Sequence, residues 1–332
     1  MNAAATRFSA VMVDGPGTPA RLQELDASRL PDDEVLVAVS HSGLNYKDAL
    51  AVTGTGAVVR SFPMITGIDL AGRVLSSRSP QLAAGDLVFA TGHGLGEERF
   101  GGHATLACLP QAWLAKVPAA VDPGWVMGLG TAGLTAALAV EALIDHGVRP
   151  GDRPVVVSGA GGGVGSISVL LLAAAGYRVA AVSGRSALAP WLATLGATAV
   201  HPRELLLGDA VRPLASQRWA GGIDVVGGAL LAGMISAIAV GGCVAACGLA
   251  GGAELPTTVL PFILRGVALV GIESVRASDA RRGRAWARLA AALPPGRLAG
   301  LIREEPLAAV PHLAGELLAG QVQGRIVVRV SG

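Results

Sequence analysis

The chain of 332 residues is poor in several residue types, and each shortage excludes a class of protein. Lysine occurs only at Lys47 and Lys116, the net charge is +2 and the arginines are scattered, so the sequence lacks the basic patch of a nucleic-acid-binding protein. Its cysteines are too few and too irregularly spaced for a disulfide framework. They are Cys108, Cys243 and Cys247. Their odd number suits a reducing compartment, and all three are interpreted as small buried apolar residues.

Long uninterrupted apolar runs are also missing. Residues 1–17 contain no extended apolar stretch of the secretory type, which predicts a cytoplasmic protein. Residues 225–253 carry no charge and are long enough to span a membrane, but eight glycines divide them. Such short apolar pieces are typical of buried strands and helices around a parallel sheet. We therefore expect no membrane association.

The pattern of apolar residues changes near residue 125, and the length of the chain suits two domains. The first part contains short β-branched segments bounded by Gly, Pro or Asp, such as 34–40, 71–75 and 86–90, which predict an antiparallel sheet or barrel. From Trp125, strands alternate with helix-length segments, which predicts a doubly wound parallel sheet. The final predicted strand, 325–330, should return to the first domain. The alternating strands are predicted at 154–158, 179–182, 199–201, 223–226, 242–247 and 267–272.

Residues 155–185 contain the most informative motif. A strand of three valines enters a glycine-rich turn, an apolar helix follows, and a second short strand ends the unit. Gly162 would allow close approach of a pyrophosphate, Gly165 would let the helix pack close to the strand, and the helix N-terminus offers free N–H groups. An ordinary strand-to-helix turn is the alternative, but the flanking strands favour a dinucleotide site. Its candidate contacts are Ala160, Gly161, Gly162, Gly163, Val164 and Gly165.

An absence also indicates which dinucleotide binds. NAD sites place an acid about 20 residues after the glycines, yet no Asp or Glu lies between Asp152 and Glu204. Ser183, Gly184 and Arg185 occupy that place, and a hydroxyl with a guanidinium suits a 2′-phosphate. The alternative, a solvated loop arginine, leaves the missing acid unexplained. The sequence therefore predicts NADPH, with Arg203 either a second cation for the phosphate or a solvated residue.

Several blocks outside this motif carry a family resemblance. Together they resemble the acrylyl-CoA reductase (NADPH) family of the medium-chain dehydrogenase/reductase superfamily, formerly grouped with quinone oxidoreductases. The resemblance covers nearly the whole chain. The blocks are GLNYKDALAVTG (43–54), FPMITGIDLAG (62–72), GTAGLTA (130–136), SGAGGGVGS (158–166), AVSGR (181–185), WAGGIDVVGG (219–228), CGLAGG (247–252) and LPFILRGVALVGIESV (260–275).

The resemblance implies an α/β fold of two domains. They are a GroES-like β-rich catalytic domain at 1–124 and 274–332 and a Rossmann doubly wound domain at 125–273. It also implies transfer of a hydride from NADPH to the β-carbon of an enoyl thioester such as acryloyl-CoA, with an enolate developing on the thioester oxygen. An NADPH:quinone or general enone oxidoreductase and a non-catalytic NADPH-binding protein are the alternatives.

The resemblance to the superfamily also predicts an enzyme without a metal ion. Where zinc alcohol dehydrogenases of the superfamily have a cysteine and a histidine, this chain has Asn45 and Ile68. Hydrogen bonds must then polarise the thioester. Thr66 is one departure, because the family turn has proline there, and we expect it to change the rigidity of the loop.

The resemblance also indicates which residues act. Asn45 would donate to the enolate oxygen or hold the nicotinamide ribose, or else cap a turn. Tyr46 would lie along the cofactor and donate its hydroxyl, or else only pack. Lys47 would orient substrate or cofactor, or else form a surface ion pair with Asp48, which is the fourth catalytic candidate. Further cofactor contacts are expected at Thr131, Thr135, Gly248, Leu249, Ile263 and Ser274.

The apolar segment 267–272 predicts how two copies of the chain meet. An exposed strand of this kind has to be covered, and strands at this place in the superfamily commonly pair across a two-fold axis. We expect a homodimer that acts on a small molecule.

Overall fold

The computed structural model describes residues 7–210 and 212–331, so part of the segment on which we based the expectation about export lies outside the described residues. The chain forms two compact units: unit 1 comprises Met1–Thr131 and Leu298–Gly332, and unit 2 comprises Ala132–Arg297. The chain thus leaves unit 1 after residue 131 and returns to it at residue 298, in both cases later than the domain limits at 124 and 274 that the sequence predicts. The limits at 124 and 274 remain a prediction.

Unit 1 consists mainly of two sheets. A three-stranded sheet has the order β2-β1-β4, and a seven-stranded sheet has the order β15-β16-β3-β5-β6-β8, with β7 also paired to β3. All pairs are antiparallel except β15 with β16. The strands are β1 Arg7–Val13, β2 Arg21–Asp26, β3 Val35–Leu44, β4 Met64–Ile65, β5 Asp69–Ser77, β6 Leu87–Thr91, β7 Leu106–Leu109, β8 Ala115–Lys116, β15 Ile302–Pro306 and β16 Arg325–Arg329.

Strand β3 shows why these residues form a sheet. Val35, Val37 and Val39 are fully buried while the residues between them are half-buried, as expected for a β-branched segment with one face on the core. The last strand, β16, pairs with β3, which confirms the predicted return of the chain to the first domain. Unit 1 also contains the helices α1 Tyr46–Thr53 and α9 Val310–Leu318.

Unit 2 is a parallel sheet with helices between its strands. The sheet order is β11-β10-β9-β12-β13-β14, and every pair is parallel. The strands are β9 Val155–Val157, β10 Val179–Val182, β11 Ala199–His201, β12 Trp219–Asp224, β13 Ile238–Ala246 and β14 Ala268–Gly271. The helices are α3 Gly163–Ala174, α4 Ala189–Thr194, α5 Glu204–Ala210, α6 Gly228–Ser236, α7 Leu260–Arg265 and α8 Asp279–Ala292.

This strand order locates the functional edge of the sheet. Counted from β9, it is 3-2-1-4-5-6, the order of the Rossmann fold, and the chain reverses its direction of winding between β9 and β12. Ligands of such sheets bind outside the carboxyl ends of the strands at this point. The glycine-rich turn follows β9 and therefore lies there.

Two segments are apolar and long enough by composition to enter a membrane. Residues 225–253 form the loop after β12, α6, β13 and the loop after β13. Helix α6 and most of β13 are buried, whereas Val240 and Leu249 are exposed. Helix α2, Pro123–Asp145, is long and apolar enough to cross a membrane, but 89% of its most apolar window is buried. Its helical geometry is interrupted at Gly130. Helix α2, α6 and most of β13 are therefore core elements of the fold.

Candidate active site

The glycine-rich turn after β9 has the geometry of a phosphate-binding loop. Gly159 has a φ of +56°, and a Cβ there would collide with Val225. A Cβ on Gly165 would collide with the carbonyl oxygen of Gly159, so this glycine lets α3 approach the strand. Helix α3 begins at Gly163, and N–H groups in its first turn lack partners within the helix. The tight turn is therefore made by Gly159, which our reading of the sequence missed by starting the motif at Ala160.

Asp224 fixes the neighbouring loop after β12. Its carboxylate accepts the Ser158 hydroxyl at 2.6 Å and the N–H groups of Val226 and Gly227 at 3.2 and 2.7 Å. Burial raises the pKa of Asp224, against the effect of these hydrogen bonds. Ser158 also accepts the N–H of Val225 at 3.1 Å. The ends of β9 and β12 are thus tied together at the point where the sheet order reverses.

The loop after β13 joins the same edge. A Cβ on Gly248 would collide with the carbonyl oxygen of Val225, and one on Gly227 would lie 3.2 Å from the carbonyl oxygen of Gly248 and 3.3 Å from the Cα of Leu249. The Leu249 side chain is exposed. The structure therefore brings the predicted contacts Gly248 and Leu249 to the carboxyl edge of the sheet.

The residues predicted to bind the 2′-phosphate meet beyond β10. The Ser183 hydroxyl accepts the N–H of Arg185 at 3.1 Å. An ideal Cβ on Gly161 would lie 3.0 Å from Nη2 of Arg185 and 3.8 Å from Oγ of Ser183. One on Gly184 would lie 3.6 Å from Cδ of Arg203. A hydroxyl and the guanidinium of Arg185 thus lie beside the glycine loop, while the Arg203 side chain lies beside Gly184. Burial lowers the pKa of Arg185.

These residues fit a phosphorylated dinucleotide. Glycines at 161 and 184 leave room that side chains would fill, and the sequence has no Asp or Glu between Asp152 and Glu204 to bind a ribose 2′-hydroxyl. The carboxylate of Glu204 pairs with Arg203 at 3.4 Å on the exposed surface.

Of the other cofactor contacts predicted in unit 2, Thr135 and Ser274 lie together, whereas Ile263 lies at another place in the unit. The Thr135 hydroxyl donates to Ser274 Oγ at 3.1 Å. Ile263 lies on α7, where the guanidinium of Arg265 binds the carbonyl oxygens of Ala215 and Ile238. Those carbonyls precede or begin the strands β12 and β13, so α7 lies at the amino edge of the sheet. The structure therefore does not bring Ile263 to the glycine loop.

In unit 1, Asn45 is the centre of a buried polar network. Its amide nitrogen donates to Asp48 Oδ2 at 3.0 Å and to Asp69 Oδ2 at 2.9 Å. Its amide oxygen accepts from Arg325 at 2.9 Å. Both amide hydrogens are thus used within the protein. The predicted role of Asn45 as donor to an enolate oxygen is therefore not supported, because this geometry leaves it no hydrogen to donate.

Thr131 belongs to the same network. Its main-chain N–H donates to both oxygens of Asp69 at 3.1 and 3.0 Å, and its hydroxyl donates to Oδ1 at 2.5 Å. Gly130, with a φ of +51°, has no room for a side chain, since a Cβ would lie 2.5 Å from Asp69 Oδ2. Thr131 was predicted as a cofactor contact, and here it binds a carboxylate of its own unit.

Asp48 holds the start of α1 and carries an unusual pKa. Its carboxylate accepts the N–H groups of Asn45 and Ile68, each at 2.8 Å. Burial, and then the nearby charge of Asp69, raises the pKa of Asp48 to about 7. Arg325 is the buried cation of this network, and burial lowers its pKa. A proton on Asp48 would leave Asp69 and Arg325 as a balanced pair of charges.

Tyr46 and Lys47, at the start of α1, point away from the buried network. Lys47 forms an ion pair with Glu97 at 2.9 Å, while the Asp48 side chain is buried. The alternative of a surface ion pair between Lys47 and Asp48 is therefore wrong, because successive helical residues face different directions. The Tyr46 side chain is 39% exposed.

Thr66 compensates for the missing family proline with hydrogen bonds. Its N–H donates to the carbonyl oxygen of Val11 at 3.0 Å, a bond that proline lacks. Its hydroxyl lies 2.9 Å from Nδ1 of His103, whose Nε2 lies 3.0 Å from the carbonyl oxygen of Gly43. Burial lowers the pKa of His103 to about 4, so the ring is neutral at pH 7 and links two segments of unit 1.

Family models match both parts of the chain. The alcohol dehydrogenase GroES-like domain matches residues 31–119, and the model described as zinc-binding dehydrogenase matches residues 163–290. Among residues 7–210 and 212–331, the structure contains no group of three or more His, Cys, Asp or Glu side chains placed to hold a metal ion.

Curated relatives resemble the whole chain. The probable acrylyl-CoA reductase of Escherichia coli is 50% identical, over 95% of this chain and 96% of its own. The acrylyl-CoA reductase of Ruegeria pomeroyi is 47% identical, over 98% and 99%. This chain belongs to the acrylyl-CoA reductase family. A presumed quinone oxidoreductase of Bacillus subtilis is 43% identical, over 93% and 94% of the two chains.

Solved structures agree with this family membership. An oxidoreductase from Salmonella enterica in complex with NADP is 48% identical, with a TM-score of 0.93 over 98% of this chain and 100% of that one. A Bacillus subtilis protein with NAD bound is 41% identical, with the same TM-score and the same coverage. The GroES-like and Rossmann-type fold predicted from the sequence is confirmed.

We predict that Arg185→Ala weakens NADPH binding far more than NADH binding. Loss of charge-assisted hydrogen bonds to a phosphate is worth roughly 1.5–3 kcal/mol, or about 10- to 100-fold in Kd. Fluorescence titration with each cofactor measures the two Kd values. Arg178→Ala is the matched control, since Arg178 precedes the same strand at its amino end and should leave both values unchanged. Equal weakening of NADPH and NADH would refute the assignment.

We also predict how the stability of Asp48→Asn depends on pH. The folded-state pKa of about 7 lies above the ordinary value of 3.8. Between pH 3.8 and pH 7, Asp48 therefore binds a proton in the folded state but not in the unfolded state. The stabilisation from this proton is full below pH 3.8 and is lost as pH rises through 7. The wild-type advantage in free energy of unfolding over the variant should therefore shrink from pH 5 to pH 8, by on the order of 2 kcal/mol.

Urea unfolding at pH 5, 6, 7 and 8 tests this prediction. Asp14→Asn is the control, because Asp14 is exposed and its pKa is lowered, so its profile should run parallel to that of the wild type over this range. A constant difference between wild type and Asp48→Asn would show that Asp48 stays ionised in the folded protein.

Proposed function

We propose that this chain reduces the carbon–carbon double bond of acryloyl-CoA with NADPH, forming propionyl-CoA and NADP⁺ with uptake of one proton. The observation that carries the proposal is identity of about half over nearly the full length of acrylyl-CoA reductases. Ser183 and Arg185 beside the glycine loop, with Arg203 beside Gly184, support NADPH as the cofactor. Bound NADPH supplies a hydride to the β-carbon of the substrate.

The residues of this chain have to stabilise the enolate that develops on the thioester oxygen. Asn45 has no amide hydrogen left for that oxygen. The Lys47 ammonium, which has three hydrogens, is directed toward Glu97. The hydroxyl of Tyr46 is the candidate donor to the thioester oxygen, because the Tyr46 side chain is exposed at the start of α1. We propose that Tyr46 donates a hydrogen bond to the thioester oxygen and that solvent protonates the α-carbon.

The buried network gives Tyr46 a fixed position. Asp48 accepts the main-chain N–H of Asn45, the residue before Tyr46, and Asn45 is tied in turn to Asp69 and Arg325. A donor held in this way needs little reorganisation when charge develops on the substrate. Asp48 is therefore proposed as a positioning residue, and Lys47, through its ion pair, as a residue that helps to shape the surface beside Tyr46.

We propose that the protein works as a homodimer in the cytoplasm. Strand β14 ends the sheet of unit 2, and apolar side chains near it are exposed by 61 to 68%. An edge strand with free N–H and C=O groups and an apolar surround can pair with a second copy. The exposed side chains are Val240, Val259, Ile263 and Leu264. The three cysteines are free thiols, which supports a reducing compartment.

The proposed activity is tested by NADPH oxidation with three substrates. We expect acryloyl-CoA to be turned over faster than crotonoyl-CoA and faster than a quinone. Faster turnover of the quinone would favour the oxidoreductase activity named for the Bacillus subtilis relative. With none of the three turned over, the protein would belong among non-catalytic NADPH-binding proteins.

Light scattering after size-exclusion chromatography tests the dimer. We expect twice the mass of one chain for the wild type and a shift toward the monomer for Ile263→Asp, which places a charge in the exposed apolar surface. Leu75→Asp is the control, because Leu75 is an equally apolar and 48% exposed residue of unit 1. A wild-type monomer would end the proposal.

A further inference from the structure

A surface of unit 1 beside Tyr46 contains two exposed aromatic side chains and two cations. Tyr46 and Phe62 are 39% and 37% exposed. Lys47 follows Tyr46, and Arg60 lies two residues before Phe62. Glu97 links the two segments, since its carboxylate binds Lys47 at 2.9 Å and its main-chain carbonyl accepts the N–H of Arg60 at 2.8 Å. We call these five residues the Arg60 surface.

The backbone of Arg60 is anchored while its side chain is in solvent. Val59 packs against the core cluster of unit 1, and the hydrogen bond to Glu97 holds the next N–H. The Arg60 side chain is exposed, and no hydrogen bond or ion pair of its guanidinium is recorded among the described residues. An anchored backbone lowers the entropic cost of using an exposed side chain for binding.

Glu97 and Arg99, in the segment that contacts the backbone of Arg60, already have ion-pair partners, and the Glu98 side chain is directed elsewhere. The carboxylate of Glu97 is occupied by Lys47, and Arg99 pairs with Asp33 at 3.3 Å. The Glu98 side chain folds toward Gly94, where an ideal Cβ would lie 3.7 Å from its carboxylate oxygen. A guanidinium in this setting suits an anion with several oxygen acceptors, and phosphate is the group that its planar fork matches best.

We propose that Arg60 binds the phosphate groups of the CoA nucleotide of the substrate, with the exposed ring of Phe62 beside the adenine. This inference rests on the proposed function. Acryl groups are small and offer little for recognition, so binding energy has to come from the remote part of the thioester. Guanidinium and aromatic side chains are the usual partners of a phosphorylated adenosine.

The test compares substrates with and without the nucleotide. We expect Arg60→Ala to raise KM for acryloyl-CoA about tenfold, the loss of a charge-assisted hydrogen bond, with kcat unchanged. KM for acryloyl-pantetheine, which lacks the nucleotide, and KM for NADPH should not change. Arg60→Lys should keep most of the affinity, since it preserves the charge. Arg29→Ala is the matched control, as Arg29 is another exposed arginine of unit 1.

A second measurement separates this inference from the proposed function. Calorimetric titration with CoA itself needs no turnover, and Arg60→Ala should weaken CoA binding about tenfold while Arg29→Ala leaves it unchanged. Equal affinity of wild type and Arg60→Ala for CoA would overturn the assignment of Arg60. A rise in KM for NADPH would show instead that Arg60 binds the cofactor. Lack of acryloyl-CoA turnover by the wild type would overturn the proposed function alone.

Discussion

Burial of the Arg325 guanidinium is the constraint on which the architecture of unit 1 depends. This side chain comes from the last strand of the chain, and it donates to Asn45 and to the carbonyl oxygen of Gly128, at 2.9 and 3.1 Å. An isolated buried cation would be strongly unfavourable, so the carboxylate of Asp69 and these acceptors have to be in place. The C-terminal strand, the start of α1 and the segment before Thr131 are thereby fixed relative to one another.

Unit 2 is organised by close backbone approach instead of charge. The loops after β9, β12 and β13 come together where side chains would collide, at Gly159, Gly227 and Gly248. Asp224 is the main polar tie in this region, and it satisfies main-chain N–H groups that would otherwise be buried without partners. The two units thus provide the parts of a reductase by different means. One presents a phosphate-binding edge, and the other holds polar side chains at a helix start.

Local patterns were sufficient to predict most of the fold. The strands at 179–182 and 199–201 begin and end as predicted, because short apolar segments that alternate with helix-length segments are typical of a parallel sheet. The cluster of Ser183 and Arg185 could also be predicted, since its members are close in sequence. Asn45 could be found as a site residue, but its hydrogen-bonding state could not, because Asp69 and Arg325 lie far away along the chain. The available signal for the partners of Asn45 was a charged residue at the start of an apolar strand, Asp69 in β5 and Arg325 in β16.

The tight turn at Gly159 changes what the glycine motif requires of a sequence. Because Gly159 takes the positive φ, Ala160 is a buried residue with ordinary backbone geometry, and only small size is demanded of it. A search pattern that insists on glycine at that place would pass over this loop although its backbone is complete. Relatives with serine or alanine there should be counted among dinucleotide-binding chains whenever glycine precedes that residue.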